Sequence, residues 1–350
     1  MPDPAEQKVV RVVLVGAGEW GATWAQEIHA APGYELAAIA ELDVELGLRA
    51  GAVVGLPSNR VFDSVSTAVL SSSLDAAVIA VPPGVHCAVS LEALDAGLHC
   101  LIEKPLAPTL EECREIVSRG QAAGRIVMVS QNYGFRAGSR TVRRLLAEGT
   151  IGRIGTVGIC FMRSFAPTGF RAQMDEPLLM DMAVHHFDQL RTVLGLEPTK
   201  VWAHTSNPSW SSFHGNAEGI VRFETDDGVS ISYVGSWASC GLETGWGGRW
   251  EIQGDAGALH WEDDRIVVYS QGREASRSRL SRARRVFGPS GIKLDHGPPV
   301  DRAGVLDEFR SAICERREPR ASARDNVRTI ALVAAAVESA RSGVAATLAG

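Results

Sequence analysis

The first third of the chain alternates short, nearly all-apolar runs with stretches whose apolar positions recur at helical spacing. Val9 to Val15, Glu35 to Ala40, Ala76 to Val81, His99 to Ile102 and Ile126 to Val129 read as strands buried on both faces. Between them, Trp20 to Ala31, Val85 to Ala96 and Leu110 to Ala123 read as amphipathic helices. Alternation at this spacing predicts βαβ units, and therefore a doubly wound parallel sheet.

After about Gln131 the texture changes. Thr141 to Glu148 and Asp181 to Leu194 are helical patterns, whereas Lys200 to Tyr269 reads strand, turn, strand. Val221 and Phe223, then Val229, Ile231 and Tyr233, alternate at period two across Asp226-Asp227-Gly228, a turn-forming run that predicts a hairpin in a mostly antiparallel sheet. Asp301 to Arg317 and Ala323 to Arg341 are helical again. The fold class is α/β, with a first domain over residues 1–131 and a second, α+β domain over 132–350 whose last helices are free to pack back on the first. A length of 350 residues agrees with two cores rather than one.

Composition narrows the function classes. Hydrophobic residues make up 45% and charged residues 22%, which is the make-up of a packed globular chain. The net charge of −6 argues against a nucleic-acid partner, since a broad nucleic-acid surface leans basic. Arg273, Arg277, Arg279, Arg282, Arg284 and Arg285 crowd the stretch from Gln271 to Pro299, which reads as a solvated loop and is assigned no function. The six cysteines lie far apart with no metal-ligand spacing, so they read as reduced thiols, and no metal is expected. No signal-peptide pattern is seen and no apolar run approaches the roughly 20 residues of a membrane span. The expectation is a cytoplasmic protein with no membrane partner.

Three places carry chemistry. Gly16-Ala17-Gly18-Glu19-Trp20-Gly21 follows the first strand and opens the first helix. One glycine makes the tight turn, the next lets backbone N–H groups approach a pyrophosphate, and the third allows close helix packing. The helix N-terminus then offers N–H donors and partial positive charge. Glu41 ends the second strand, where a carboxylate accepts from ribose hydroxyls; it would repel a 2′-phosphate, and Leu42 stands where an arginine would clamp one. NAD is favoured over NADP, which is not excluded.

The strand His99 to Ile102 delivers Glu103-Lys104-Pro105 to the sheet's carboxyl edge, where open α/β sheets place ligands. An ordinary surface charge and a proton-transfer role both remain open for Lys104. In the helix after Met180, Met180, Ala183, Val184, Phe187, Leu190 and Leu194 form a core stripe, with Asp181, His185, Asp188 and Thr192 beside it. Asp181 and His185 stand one turn apart and can address one ligand together, although such a pair also occurs as a plain hydrogen bond. His186 points elsewhere and reads as structural.

Taken with Val81-Pro82-Pro83-Gly84-Val85-His86, Gln131-Asn132-Tyr133, Asp181-Met182-Ala183-Val184-His185-His186-Phe187-Asp188 and the Trp250 to Leu259 strand-turn-strand, these motifs resemble the glucose-fructose oxidoreductase, inositol dehydrogenase and rhizopine-catabolism (Gfo/Idh/MocA) family. The resemblance covers most of the chain. It implies a Rossmann domain followed by a domain with an open sheet that often serves for oligomerisation, hence a homo-oligomer, dimer or tetramer. It implies that Lys104, Asp181 and His185 are the catalytic set and that the Lys104-Pro105 bond is cis. It also implies that Pro82, Pro83 and Glu103 line the nicotinamide and ribose region, with His86 either at this edge or in a capping role. Asp175-Glu176-Pro177-Leu178-Leu179-Met180 departs from the glycine-rich lead-in often seen before the Asp-x-x-x-His run, so the pocket floor differs.

The expected activity is oxidation or reduction between a secondary hydroxyl and a ketone on a sugar, cyclitol or related polyol. Asn132, Arg163 and Arg171 are further candidates for binding its hydroxyls beside Asp181 and His185. Two alternatives stay open: a non-catalytic dinucleotide-binding sensor or scaffold, and an NAD-dependent lyase or hydrolase that oxidises its substrate transiently.

Overall fold

The computed structural model describes residues 9–270, 286–287, 292–297 and 299–348. They fall into two compact units, Met1–Asn132 with Asp301–Ile330, and Tyr133–Val300 with Ala331–Gly350. The six clustered arginines from Arg273 to Arg285 lie outside the described residues.

In the first unit, β1 (Val10–Val15), β2 (Tyr34–Ala40), β3 (Val61–Phe62), β4 (Ala76–Ile79), β5 (His99–Ile102) and β6 (Val127–Val129) form one parallel sheet in the order β3-β2-β1-β4-β5-β6. The crossovers are α1 (Glu19–Ala30), α2 (Val44–Val53), α3 (Val65–Ser71), α4 (His86–Asp95) and α5 (Leu110–Ala122). This is the doubly wound order whose reversal beside β1 opens a crevice at the carboxyl edge. The strands are buried on both faces, as their unbroken apolar runs require: Val10, Val12, Val13, Leu14, Ala76, Ala77 and Ile79 are fully buried. β4 stops at Ile79 instead of Val81, because Pro82 and Pro83 offer no N–H to a ladder. α2 and α3 escaped the periodicity; Asp43 and Ser64 cap them, each accepting from first-turn N–H groups. The segment Asp301–Ile330 returns to this unit, where Tyr34 donates to the Leu306 carbonyl at 2.6 Å and Arg302 pairs with Glu27 at 3.1 Å.

The second unit begins with α6 (Ala137–Ala147), β7 (Ile154–Met162), a π-helical turn over Leu178–Ala183 and α7 (Val184–Thr192). Then come β8 (Pro198–Ser206), β9 (Glu218–Thr225), β10 (Ser230–Ser236), β11 (Arg249–Gly254), β12 (Gly257–Glu262), β13 (Arg265–Ser270) and β14 (Val286–Phe287). After α8 (Asp301–Glu315) of the first unit, α9 (Ala323–Ser342) and β15 (Ala346–Thr347) end the described chain. Among the described residues the second sheet has the order β14-β13-β12-β11-β7-β10-β9-β8-β15, antiparallel except for β7 against β10. The predicted hairpin is β9 and β10, with Val221 opposite Tyr233 and Phe223 opposite Ile231; Gly228 takes φ +87° in its turn, a conformation that favours glycine. The central β7 was not anticipated. Its inward Val157, Ile159 and Phe161 do alternate, but Gly155 and Gly158 dilute the strand signal.

α7 packs on the inner face of this sheet. Phe187 meets Phe223 edge to face at 4.8 Å between centroids and Tyr233 at 5.5 Å. His186, beside it, is fully buried, with Nε2 3.1 Å from the Trp246 carbonyl and Nδ1 3.3 Å from the Tyr233 hydroxyl. A carbonyl only accepts, so Nε2 carries the proton and Nδ1 accepts from Tyr233. Burial pushes the His186 pKa down to about 4.

An unfolded chain therefore binds a proton at this histidine between roughly pH 6.5 and 4 that the folded protein refuses. The stabilisation is complete above pH 6.5 and is lost as pH falls toward 4, by up to about 3 kcal/mol. Urea midpoints measured from pH 7 to pH 4.5 should fall on acidification in the native protein and fall less in His186→Phe. Equal slopes in the two proteins would contradict the assignment.

Candidate active site

At the carboxyl edge of the first sheet, the glycine loop is shaped by close approach. Gly16 has φ +90° and lies against the end of β4, where a Cβ would come within 2.9 Å of the Ala80 carbonyl oxygen. A Cβ on Gly21 would stand 2.0 Å from the Gly16 carbonyl oxygen, so only glycine lets α1 start so near the turn. A Cβ on Gly18 would meet nothing within 4 Å, and α1 has no side-chain cap. Open space in front of uncapped N–H groups is what a pyrophosphate requires, so these residues fit a dinucleotide. Glu19 and Trp20 stand exposed at the first turn, and the Arg302 guanidinium covers the Trp20 ring at 4.8 Å.

Glu41 leaves the end of β2 and turns back to the loop, accepting from Ala17 N–H at 2.6 Å and Asp43 N–H at 3.1 Å. Each oxygen keeps a lone pair for a ribose hydroxyl. Next to β1, β4 runs out into exposed Pro82 and the single 3-10 turn Pro83–Val85. From β5, Glu103 is 7% exposed; it accepts from Trp24 Nε1 at 2.8 Å and from the Lys104 N–H at 3.0 Å. Lys104 is half-buried and its bond to Pro105 is cis.

His86 lies at this edge as a brace. Its ring is fully buried between the two loops, with Nδ1 2.8 Å from the Pro105 carbonyl and Nε2 2.9 Å from that of Val81; the neutral ring has one N–H and donates to one of them. Burial lowers its pKa. Asn132, also in this unit, donates its amide to Asp301.

In the second unit Asp181 and His185 do share a segment, but not the regular helix that the spacing predicts. The chain from Leu178 to Ala183 is π-helical and becomes α-helical at Val184. Such turns widen a helix by one residue and are frequent at functional sites. Apart from half-buried Met180 and Thr192, both expected stripes are buried: Asp181 is 4%, His185 5% and Asp188 4% exposed. Arg171, from the 3-10 turn Gly169–Gln173, donates Nε to Asp181 Oδ2 at 2.6 Å, so this pair of predicted residues meets. Arg163 is engaged elsewhere, with Glu243 at 2.9 Å, the Thr244 carbonyl at 3.2 Å and the Trp246 ring beneath it. The Tyr133 ring lies flat on His185 with centroids 4.1 Å apart, a contact that no periodicity in the sequence announces. Among the described residues no cluster of three or more His, Cys, Asp or Glu side chains is placed to hold a metal, and no helix is long and apolar enough to cross a membrane.

Inositol 2-dehydrogenase 4 of Saccharopolyspora erythraea is 32% identical over 236 residues, 67% of this chain and 68% of that protein. The 1,5-anhydro-D-fructose reductase of Ensifer adhaerens is 28% identical over 343 residues, 96% of this chain and 97% of its own length. An oxidoreductase from Agrobacterium radiobacter, solved with NAD+, L-tartaric acid and magnesium, superposes with a TM-score of 0.84 at 20% identity, covering 97% of this chain and 98% of that one, a likeness of fold. Residues 10–131 match the GFO/IDH/MocA oxidoreductase family with its NAD-binding Rossmann fold, and residues 139–260 match a GFO/IDH/MocA C-terminal domain. The chain belongs to this oxidoreductase family.

Proposed function

We propose that this protein is an NAD-dependent dehydrogenase or reductase that interconverts a secondary hydroxyl and a ketone on a sugar, cyclitol or related polyol. The observation that carries the reading is the convergence of the glycine loop, Glu41 and Lys104 at the carboxyl ends of β1, β2 and β5 in a single sheet. The names of the inositol and anhydrofructose enzymes support the substrate class.

The loop from Gly16 through Gly18 to Gly21, with the first-turn N–H groups of Glu19 and Trp20, holds the pyrophosphate, and Glu41 accepts from the adenosine ribose. Pro82, Pro83 and Glu103 form the edge on which the nicotinamide end rests. When bound, the dinucleotide supplies the hydride acceptor at its nicotinamide C4. His185 takes the proton from the reacting hydroxyl, and Asp181, held by Arg171, accepts from a neighbouring hydroxyl. Lys104 hydrogen-bonds the reacting oxygen, stabilises its developing negative charge and relays the proton. In reduction the same groups return the proton. The outward face of the second sheet, with Trp202, Ile220 and Val234 exposed, supports a homo-oligomer, dimer or tetramer. A cytoplasmic location completes the proposal.

Two experiments test it. Gly18→Ala should keep the native melting temperature yet weaken NADH binding at least tenfold by fluorescence titration. Gly21→Ala, whose methyl meets backbone, should lose about 1–3 kcal/mol of stability. Equal behaviour of the two variants would contradict the loop's assignment.

In the second, NADH or NADPH formation is followed with myo-inositol, other cyclitols and sugars, and NADH consumption with 1,5-anhydro-D-fructose. Lys104→Met and His185→Asn should each lower kcat by roughly 10²–10⁴-fold on whichever substrate works. Full turnover in either variant would remove that residue from the mechanism. Binding without turnover would favour a sensor, and product without net NADH a transient oxidation.

A further inference from the structure

The Tyr133 ring lies between two flat side chains. On one side is the His185 imidazole, with centroids 4.1 Å apart and planes 11° from parallel; the Arg136 guanidinium carbon is 3.5 Å from the same phenol centroid. Two groups that close to one ring cannot occupy the same face, so the order is Arg136, Tyr133, His185. A cation over the outer face and an imidazole over the inner one both engage the ring's π surface.

The stack stands on a rigid base. A Cβ on Gly138 would lie 2.0 Å from the Asp263 carbonyl oxygen, so only glycine lets the first turn of α6 come so near the turn joining β12 to β13. There the Gly138 N–H donates to Asp264 at 2.9 Å, and Trp261 Nε1 holds the Asp263 carbonyl at 2.7 Å. Arg136, which immediately precedes α6, reaches the Asp263 carboxylate at 4.0 Å. The Tyr133 carbonyl accepts from Ser139 Oγ at 2.6 Å and from Arg136 N–H at 3.2 Å, which fixes the backbone from which the ring projects.

We infer that Tyr133, backed by Arg136, is a positioning residue that sets the imidazole plane of His185. The torsion that turns an imidazole about its Cβ–Cγ bond is broad, so a histidine that must aim one ring nitrogen at a hydroxyl needs something to hold its plane. A flat ring 4.1 Å away, itself held from behind, does so by contact with the face of the imidazole. The inference rests on the proposal that His185 is the base.

The test is a double-mutant cycle, read on the substrate that turns over in the panel above, together with the ring-proton NMR resonances of His185 in the full chain, assigned through His185→Asn. Those resonances should lie upfield of ordinary imidazole positions, move downfield in Tyr133→Leu and stay in Tyr133→Phe. Tyr133→Leu should lower kcat by roughly 10- to 100-fold with little change in KM, as misplacement of a reacting group does. Tyr133→Phe should rescue most of that loss. In a His185→Asn background Tyr133→Leu should cost nothing further. Should Tyr133→Leu fail to fold, Arg136→Gln, at a side chain only 26% exposed, removes the backing and should show the same pattern at several-fold loss.

Unshifted resonances, an equal loss in Tyr133→Phe, or an undiminished loss in the His185→Asn background would overturn the inference. Full turnover by His185→Asn itself would instead overturn the base assignment.

Discussion

One buried carboxylate fixes the geometry of the first unit's edge. Glu103 has almost no access to solvent, and a polar group buried there must replace its lost water with hydrogen bonds. Its two oxygens are met by the indole N–H of Trp24, on the helix that opens from the glycine loop, and by the N–H of Lys104. A single side chain thus links the helix behind the pyrophosphate loop to the backbone of the lysine. Glu41 repeats the device at the end of β2, three strands away, by accepting from Ala17 within the loop. His86 completes it by filling the space between the Val81 and Pro105 carbonyls and donating to one of them. The parallel sheet supplies the edge, and these three side chains decide where its loops stop.

The second unit solves its positioning problem differently. Asp181 is nearly inaccessible, and Arg171 supplies the countercharge from a turn ten residues earlier in the chain. Removing one partner of such a pair is costlier than the pair itself is stabilising, because it strands a charge away from water. Its neighbour His185 is held by ring stacking, and His186, one residue on, is kept neutral by burial, with Trp246 and Tyr233 fixing its tautomer. Adjacent histidines are therefore set apart by their surroundings, one facing a flat ring, the other locked in a fixed tautomer. The π turn carries Asp181, and the α-helix that continues from it carries His185 and takes Phe187 into the core.

Much of this was legible in the residues. Apolar runs with a two-sided burial requirement marked four of the five long strands of the first sheet to within a residue, and the fifth overran only where prolines end the ladder. The glycine loop declared itself because its chemistry demands particular residues at particular places. β7 did not, since glycines interrupt its alternation, nor did β3, a two-residue strand too short for any period. The π turn was invisible because a pattern read at 100° per residue assumes the very geometry it departs from. The Arg171 to Asp181 pair and the stack on His185 depend on loops whose course is set by tertiary packing, and no local spacing encodes them.

The central claim is that a carbon-bound hydrogen leaves the substrate as hydride and stays on the dinucleotide. It is tested most directly by supplying a polyol deuterated at the carbon that is oxidised, with NAD, and analysing cofactor and product by mass spectrometry. The account predicts one deuterium on the nicotinamide C4 for each ketone formed, with deuterated NADH accumulating as product does. Product formed with its label retained or released to water, and no accumulation of reduced cofactor, would contradict it.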